Sequence, residues 1–171
     1  MRVFVMLVGA AVLFGSMACS NQNSFSYKDG VQKALEQADL KDVTVAEDRD
    51  KNTITLGGTL HSEEAKVKAA DVAKAAANTR IIANEISVQP VGSESEAKNV
   101  ASNLDDGIQN NYKAALISSG LEKRHVNFKA KNGVLTLSGS VRNVNERKQA
   151  EKLAVGVPNV QQVLNQIEVR R

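Results

Sequence analysis

Apolar residues recur along this chain in two rhythms, and each rhythm is played twice. Tyr27, Val31, Ala34, Leu35 and Ala38 return at helical spacing, as do Leu104, Ile108, Tyr112, Ala115 and Leu116; one apolar face per helix predicts packing on a core. Val126, Phe128 and Ala130 alternate with Asn127 and Lys129, the period of a half-buried strand. Asn132-Gly133 then marks a hairpin turn, since both residues tolerate positive φ, and Leu135, Leu137 and Val141 face inward on the return strand. In the earlier stretch Asp50-Lys51-Asn52 stands at the turn, with Ile54, Leu56 and Leu60 inward. A second helix follows each hairpin, with stripes Ala69, Val72, Ala73, Ala76 and Ala150, Leu153, Ala154, Val157. Ser62 and Asn143 are its N-caps, Glu63, Glu64 and Glu146 place negative charge in the first turn, and Pro158 ends the later copy. The last strands alternate Ile82, Asn84, Ile86, Val88 and Val163, Asn165, Ile167, Val169.

A shift of 81 positions therefore lays the chain over itself. The ungapped overlay of 28–88 on 109–169 contains 13 identities and sets ITLGGTL on LTLSGSV, with Leu40 and Val45 falling on Leu121 and Val126. Solenoids need three or more units, so two copies mean two small domains of one fold. The expected class is α+β: two tandem αββαβ modules, each with two helices packed on a three-stranded mixed sheet. Their spans are 27–90 and 104–171, joined by a linker at 91–103. Ser26 with Asp29 approximates a capping box and Ser93 with Glu96 completes one, which allows the linker to be helical, with Gly107 a weak point inside it. Gly58 and Gly139 are equivalent, and a glycine at such a strand end predicts a bulge or close backbone approach. A domain of this size buries only about 60% of its unfolded-chain surface. The copies are expected to pack on each other or on a shared linker helix.

Ahead of the modules, Arg2 and the apolar run VFVMLVGAAVLF, followed by Ser16 and Ala18, read as a signal peptide over 1–18. That run is too short to remain as a membrane span, which takes about 20 residues. Cys19 is the single cysteine, so no disulfide framework is available. With the polar run 20–24 behind it, Cys19 resembles the lipobox of bacterial lipoproteins, although Ser16 stands where leucine is typical. The resemblance implies acylation of Cys19, a polar tether over 19–26 and attachment to the outer membrane from the periplasm. Simple secretion after Ala18 is the other reading.

The TLxG-like tract closing each hairpin and the Asn-x-Ile-x-Val final strands resemble the BON domain, a bacterial envelope module, over 27–89 and about 104–170. The second copy carries the family's Gly-Val-Pro-Asn-Val tract at 156–160. The first reads Ala75-Ala76-Ala77-Asn78-Thr79 there, which departs from the pattern at its helix-to-strand turn. The resemblance implies a dual-BON envelope lipoprotein, periplasmic residence, and association with phospholipid or envelope protein. It supplies no catalytic residues.

The residues agree with a non-enzymatic reading. His61 and His125 lie outside any metal-ligand spacing, Glu63-Glu64 is explained by the helix terminus, and there is no P-loop, GxGxxG or nucleophile elbow. No cofactor or metal is expected, and aromatics at 4% are too few for a nucleic-acid stacking platform. Charge separates the copies: residues 27–90 hold 9 Lys/Arg against 11 Asp/Glu, and residues 104–171 hold 11 against 6. Lys113, Lys123, Arg124, Lys129 and Lys131 are the candidate contacts to an anionic phospholipid surface, with Arg147, Lys148 and Lys152 adding to the excess. Tyr112 stands either in the core stripe or at a headgroup interface. A few cations bind a membrane weakly, at about 1 kcal/mol each, but a tether reaching at most about 27 Å raises their effective concentration. An adaptor that binds another envelope protein is the alternative reading.

Overall fold

The computed structural model describes residues 26–170; the signal segment, Cys19 and all of the tether but Ser26 lie outside them. The first module comprises α1 (Tyr27–Gln37), β1 (Val43–Asp48), β2 (Thr53–Leu60), α2 (Glu63–Ala76), β3 (Ile81–Asn84) and β4 (Ser87–Val88). The second repeats the order with α3 (Glu94–Ser118), β5 (His125–Lys131), β6 (Val134–Val141), α4 (Val144–Val155), β7 (Gln162–Asn165) and β8 (Glu168–Val169). In each, an antiparallel hairpin is extended by a parallel strand, so the order is β1-β2-β3 and β5-β6-β7. The expected single final strand is broken in both copies, yet β3 and β4 keep one register on β2, as do β7 and β8 on β6. Two tandem α+β modules are thus the architecture, with four strands per sheet where one uninterrupted third strand was expected.

Each module has its own helix-side core. Val31 and Leu35 of α1 and Ala69 and Ala73 of α2 cover Ile54, Leu56 and Ile86 in the first. Ile108, Tyr112, Leu116, Ala150 and Ala154 cover Leu135, Leu137 and Ile167 in the second. The alanine stripes of α2 and α4 let each helix lie close to its sheet, while the longer side chains of α1 and α3 fill the remaining depth.

The structure corrects the ungapped overlay in the first half of each module. Val43 pairs with Gly58 and Val126 with Gly139; the glycines are 81 apart but the valines 83. The first hairpin turns through Arg49–Asn52 and the second through Asn132-Gly133 alone, and the α-to-β connection absorbs the difference. Val45 therefore takes the place of Phe128, not Val126, and Glu47 takes that of Ala130. The turn after α2 shows the opposite outcome. Asn78 and Asn159 both adopt left-handed φ, 55° and 66°, so the departure from the family tract at 75–79 leaves that turn left-handed in both copies.

Helix termini follow the expectation in part. Ser62 Oγ accepts from Ala65 N and Asn143 Oδ1 from Glu146 N, which satisfies otherwise orphaned first-turn donors. Neither Ser26 nor Ser93 caps with its side chain. Ser26 Oγ donates instead to Glu47 Oε2, and Glu94 rather than Glu96 reaches back, accepting from Gly92 N. The linker is helical from Glu94 and runs without interruption through Gly107 into the second module. Leu104, assigned to the core stripe by spacing, is 44% exposed, as Val100 is at 57%, because these turns overhang the second module.

Gly58 and Gly139 sit at φ +100° and +95°, and a Cβ at either would collide with a backbone carbonyl of the partner strand, Asp42 or His125. A backbone cannot yield as a side-chain tip can, and positive φ adds strain to any L residue. Gly58→Val and Gly139→Val should each destabilise the protein by about 1–3 kcal/mol, measured by chemical denaturation. Gly107→Ala, with open space around the added methyl, should instead leave stability unchanged or raise it by up to about 1 kcal/mol.

Candidate functional site

The two modules meet through a joint that decides which surfaces stay free. Thr53 and Ala83 in the first copy, and Val134 and Leu164 in the second, are buried although they point away from the helices and belong to neither helix-side core. They are the same two positions under the 81-residue shift, so the helix-free faces bury equivalent patches. Polar contacts frame them. Gln162 Nε2 donates to Ile82 O at 2.6 Å and its Oε1 accepts from Asn84 N at 3.3 Å, so one side-chain amide closes the outer edge of β3. Asn132 Nδ2 donates to Glu85 O, and Lys131 Nζ pairs with Glu85 at 3.0 Å. Lys51 pairs with Glu168 at 3.2 Å, so each module's hairpin end reaches the other's final strand segment. Lys66, 6% exposed, donates to Asn132 O and Gln161 Oε1. Asp105 of α3 accepts from Asn132 N and Gly133 N, fixing the turn that makes these contacts.

Against that joint, the expected headgroup residues divide. Tyr112 leaves the candidate surface: it is fully buried, donates its hydroxyl to Ala150 O, and meets the Phe128 ring edge-on at 5.1 Å. Desolvation pushes its phenol well above the ordinary range. Arg124 was expected exposed but is half-buried and tied to Glu146 at 3.0 Å. Two hydrogen bonds, from the Arg142 backbone N–H and from Arg124, outweigh desolvation and hold the Glu146 carboxyl below its usual value. Lys131 is spent on Glu85. Lys113, Lys123 and Lys129 are exposed and carry no ion pair among the described residues. Lys113 lies on α3 and Lys123 in the loop after it, whereas Lys129 alternates with the inward Phe128 and stands on the helix-free face of β5, beside Lys131 and Glu85 at the joint.

Ile117, four residues after Lys113 on α3, is 51% exposed and adds an apolar position to the same helix surface. Between α3 and α4 runs a groove of about 630 Å³ with Ala115, Leu153, Val157 and Pro158 in its walls and Lys152 among its polar residues. The groove holds neither histidine nor carboxylate, and among the described residues no cluster of three or more His, Cys, Asp or Glu is arranged to hold a metal. His61 Nδ1 lies 2.9 Å from Gln89 O, a contact that ties the end of β2 to the chain leading into α3.

The first module has a different polar feature, invisible in the ungapped overlay. Glu47 occupies the inward position held by Ala130 in the second copy, and its side chain is 5% exposed. Burial alone would raise its pKa. Hydrogen bonds from Ser26 Oγ and the Lys28 backbone N–H, with Arg49 and Arg80 nearby, lower it overall. Arg80 also stacks over the Tyr27 ring at 4.9 Å. An ionic cluster here fills the space that hydrophobic packing fills in the other module.

Two segments, 28–90 and 104–171, match the BON domain, and the chain belongs to that family. Its relatives include osmotically-inducible protein Y of Escherichia coli K12, 27% identical over 142 residues that span 82% of this chain and 69% of the relative. Among solved structures, two chains of CdsD, a structural protein of the Chlamydia trachomatis type III secretion system, align over 81% and 84% of this chain. Identity there is 14% and 13% with a TM-score of 0.35 in each case, and this chain spans only about three fifths of their length.

The Glu47 cluster gives the first module a pH dependence of definite sign. A carboxyl whose folded pKa is depressed contributes stability above its ordinary value of 4.5 and loses it as the pH falls through that value and below. Thermal melts should therefore show a Tm that drops as the pH is taken below 4.5, and Glu47→Gln should flatten that drop while lowering Tm at neutral pH. An unchanged pH profile in the variant would remove Glu47 as the cause.

Proposed function

We propose that this protein is a non-enzymatic component of the bacterial envelope, resident in the periplasm, whose second BON module rests on anionic phospholipid. The observation that carries the reading is the placement of Lys113 on α3 and Lys123 in the loop after it. Both are exposed and have no ion pair among the described residues, while the first module lies against the helix-free face of the second, away from them. Membership of the BON family and likeness to an osmotically inducible relative support an envelope role. The chemistry is electrostatic attraction to headgroup phosphates, with Ile117 available to the interface. At about 1 kcal/mol per cation near a charged bilayer, two cations contribute about 2 kcal/mol, an affinity weaker than millimolar on their own. Acylation of Cys19 completes the proposal by holding the module at the outer membrane, where weak attraction suffices.

The joint changes which residues test this. Arg124 braces Glu146, so reversing its charge would disturb the fold along with the surface. Lys113→Glu with Lys123→Glu alters only exposed positions. In co-sedimentation of the mature chain with anionic vesicles at low salt, this double variant should bind at least roughly 30-fold more weakly, from about 1 kcal/mol for each cation lost. Wild-type binding should fall steeply as salt rises, and Lys68→Glu on the first module should bind like wild type. Salt-independent binding, or equal losses from both modules, would oppose the reading. Separately, Cys19→Ser should move the protein from the membrane to the soluble fraction and remove the acyl mass from its N-terminus. An unmodified wild-type N-terminus would leave the headgroup surface standing without its tether.

A further inference from the structure

The joint between the modules uses a surface that the chain possesses twice. In the first copy it consists of a cation on the second helix, Lys66, and the outward backbone groups of the edge strand, Ile82 O and Asn84 N. The segment 161–162 occupies it: Lys66 holds the Gln161 side chain, and the Gln162 amide bridges the carbonyl and the N–H. Shifted by 81 residues, the same surface is Arg147, Val163 O and Asn165 N. Gln162 N and Gln166 N point inward to Gly133 O and Leu137 O. The groups of Val163 and Asn165 therefore face outward, as alternation along a strand requires. Arg147 reaches Asn165 O at 3.3 Å, and Glu151 accepts from the Asn165 side chain. Val163 O and Asn165 N themselves have no hydrogen-bond partner among the described residues.

We infer that this α4–β7 edge is a docking site for an extended segment of another protein, one that offers a side-chain amide to β7 and acceptor groups to Arg147. The occupied twin argues for this occupant, since it shows the chemistry that an edge of this geometry accepts. A second copy of the chain is a poor candidate because Ile81 replaces Gln162 at the equivalent place in the first module, and the copy's own Gln162 is engaged in its joint. Charge narrows the partner further. Arg147, Lys148 and Lys152 outnumber Glu151 along this side of α4, and all four are exposed, so the segment is neutral to acidic. Val144 and Val155, 53% and 68% exposed, stand at either end of the helix and fit apolar flanks. An open strand edge is itself a ready template for pairing.

The inference is independent of the membrane reading, because α4 covers β7 and α3 covers β5, at opposite edges of the sheet. Its test is an NMR titration of the full mature chain with a synthetic peptide copying residues 158–165 (PNVQQVLN). In the free protein the Asn84 amide should be protected from hydrogen exchange and the Asn165 amide should exchange readily; Gln162→Ala should release Asn84. Millimolar peptide should shift resonances of Asn165, its neighbours and Arg147. Arg147→Gln, an exposed substitution, should weaken peptide binding several-fold without lowering Tm, and Lys113→Glu with Lys123→Glu should leave it intact. The site is wrong if Asn165 is as protected as Asn84, if the peptide shifts nothing or shifts β3 instead, or if Arg147→Gln binds the peptide as well as wild type does.

Discussion

The Gln162 amide, donating to Ile82 O and accepting from Asn84 N, closes a strand edge that the first module would otherwise leave open. Exposed edges invite pairing with other chains, and proteins cover or charge them for that reason. Here the cover comes from the duplicate, and the consequences spread outward. Gln162 can reach β3 only if the helix-free faces approach, which buries Thr53, Ala83, Val134 and Leu164. That approach brings the Asn132-Gly133 turn against Glu85 and Lys66. Asp105 holds the turn from a helix that begins as the linker. The small cores of the two modules, each marginal at this size, are thereby joined into a larger unit.

Orientation then governs function. With the first module lodged on one side of the second, the basic excess of the second module is sorted into engaged and free charges. Arg124 and Lys131 are structural, the one bracing α4 through Glu146 and the other clasping Glu85. On the α3 side, Lys113 and Lys123 remain for a partner. Net charge alone cannot make this distinction, because it counts a cation in an ion pair and a cation in solvent alike. The acidic first module has its own division: Glu47 is buried beside Arg80, with the exposed Arg49 nearby, while its remaining carboxylates are mostly solvated and would oppose contact with an anionic surface. The membrane-facing role proposed for the second module rests on which charges the joint leaves uncommitted.

Periodicity made most of the architecture legible. Val31 with Leu35, Ile108 with Tyr112, and the alanine stripes of α2 and α4 all lie in the cores that their spacing predicts, and the 81-residue repeat agrees with two tandem modules. The hairpins were harder. Two extra residues in the first turn and two fewer before β1 cancel over the length of the overlay, which hid the match of Val45 with Phe128 and of Glu47 with Ala130. Caps at Ser26 and Ser93 fit a local pattern, but Ser26 was claimed by Glu47, distant in sequence, and Glu94 took the position nearest Gly92. Of the candidate surface, exposure could be read for the lysines but not for Arg124, since its partner lies 22 residues away. Gln162 and Asp105 carried faint signals: a glutamine where the other copy has isoleucine, and an acid on a helix that points toward an Asn-Gly turn. Both depend on how the modules pack, which no local pattern specifies.

The most direct test of the account is the depth at which each element meets a bilayer. Paramagnetic relaxation by spin-labelled lipid in anionic bicelles, read on the backbone amides of the mature chain, reports this residue by residue. The account predicts strong broadening over the outer face of α3 from Lys113 to Ile117 and at Lys123, with β1 of the first module unaffected. Uniform broadening of both modules, or broadening centred on the first, would contradict it.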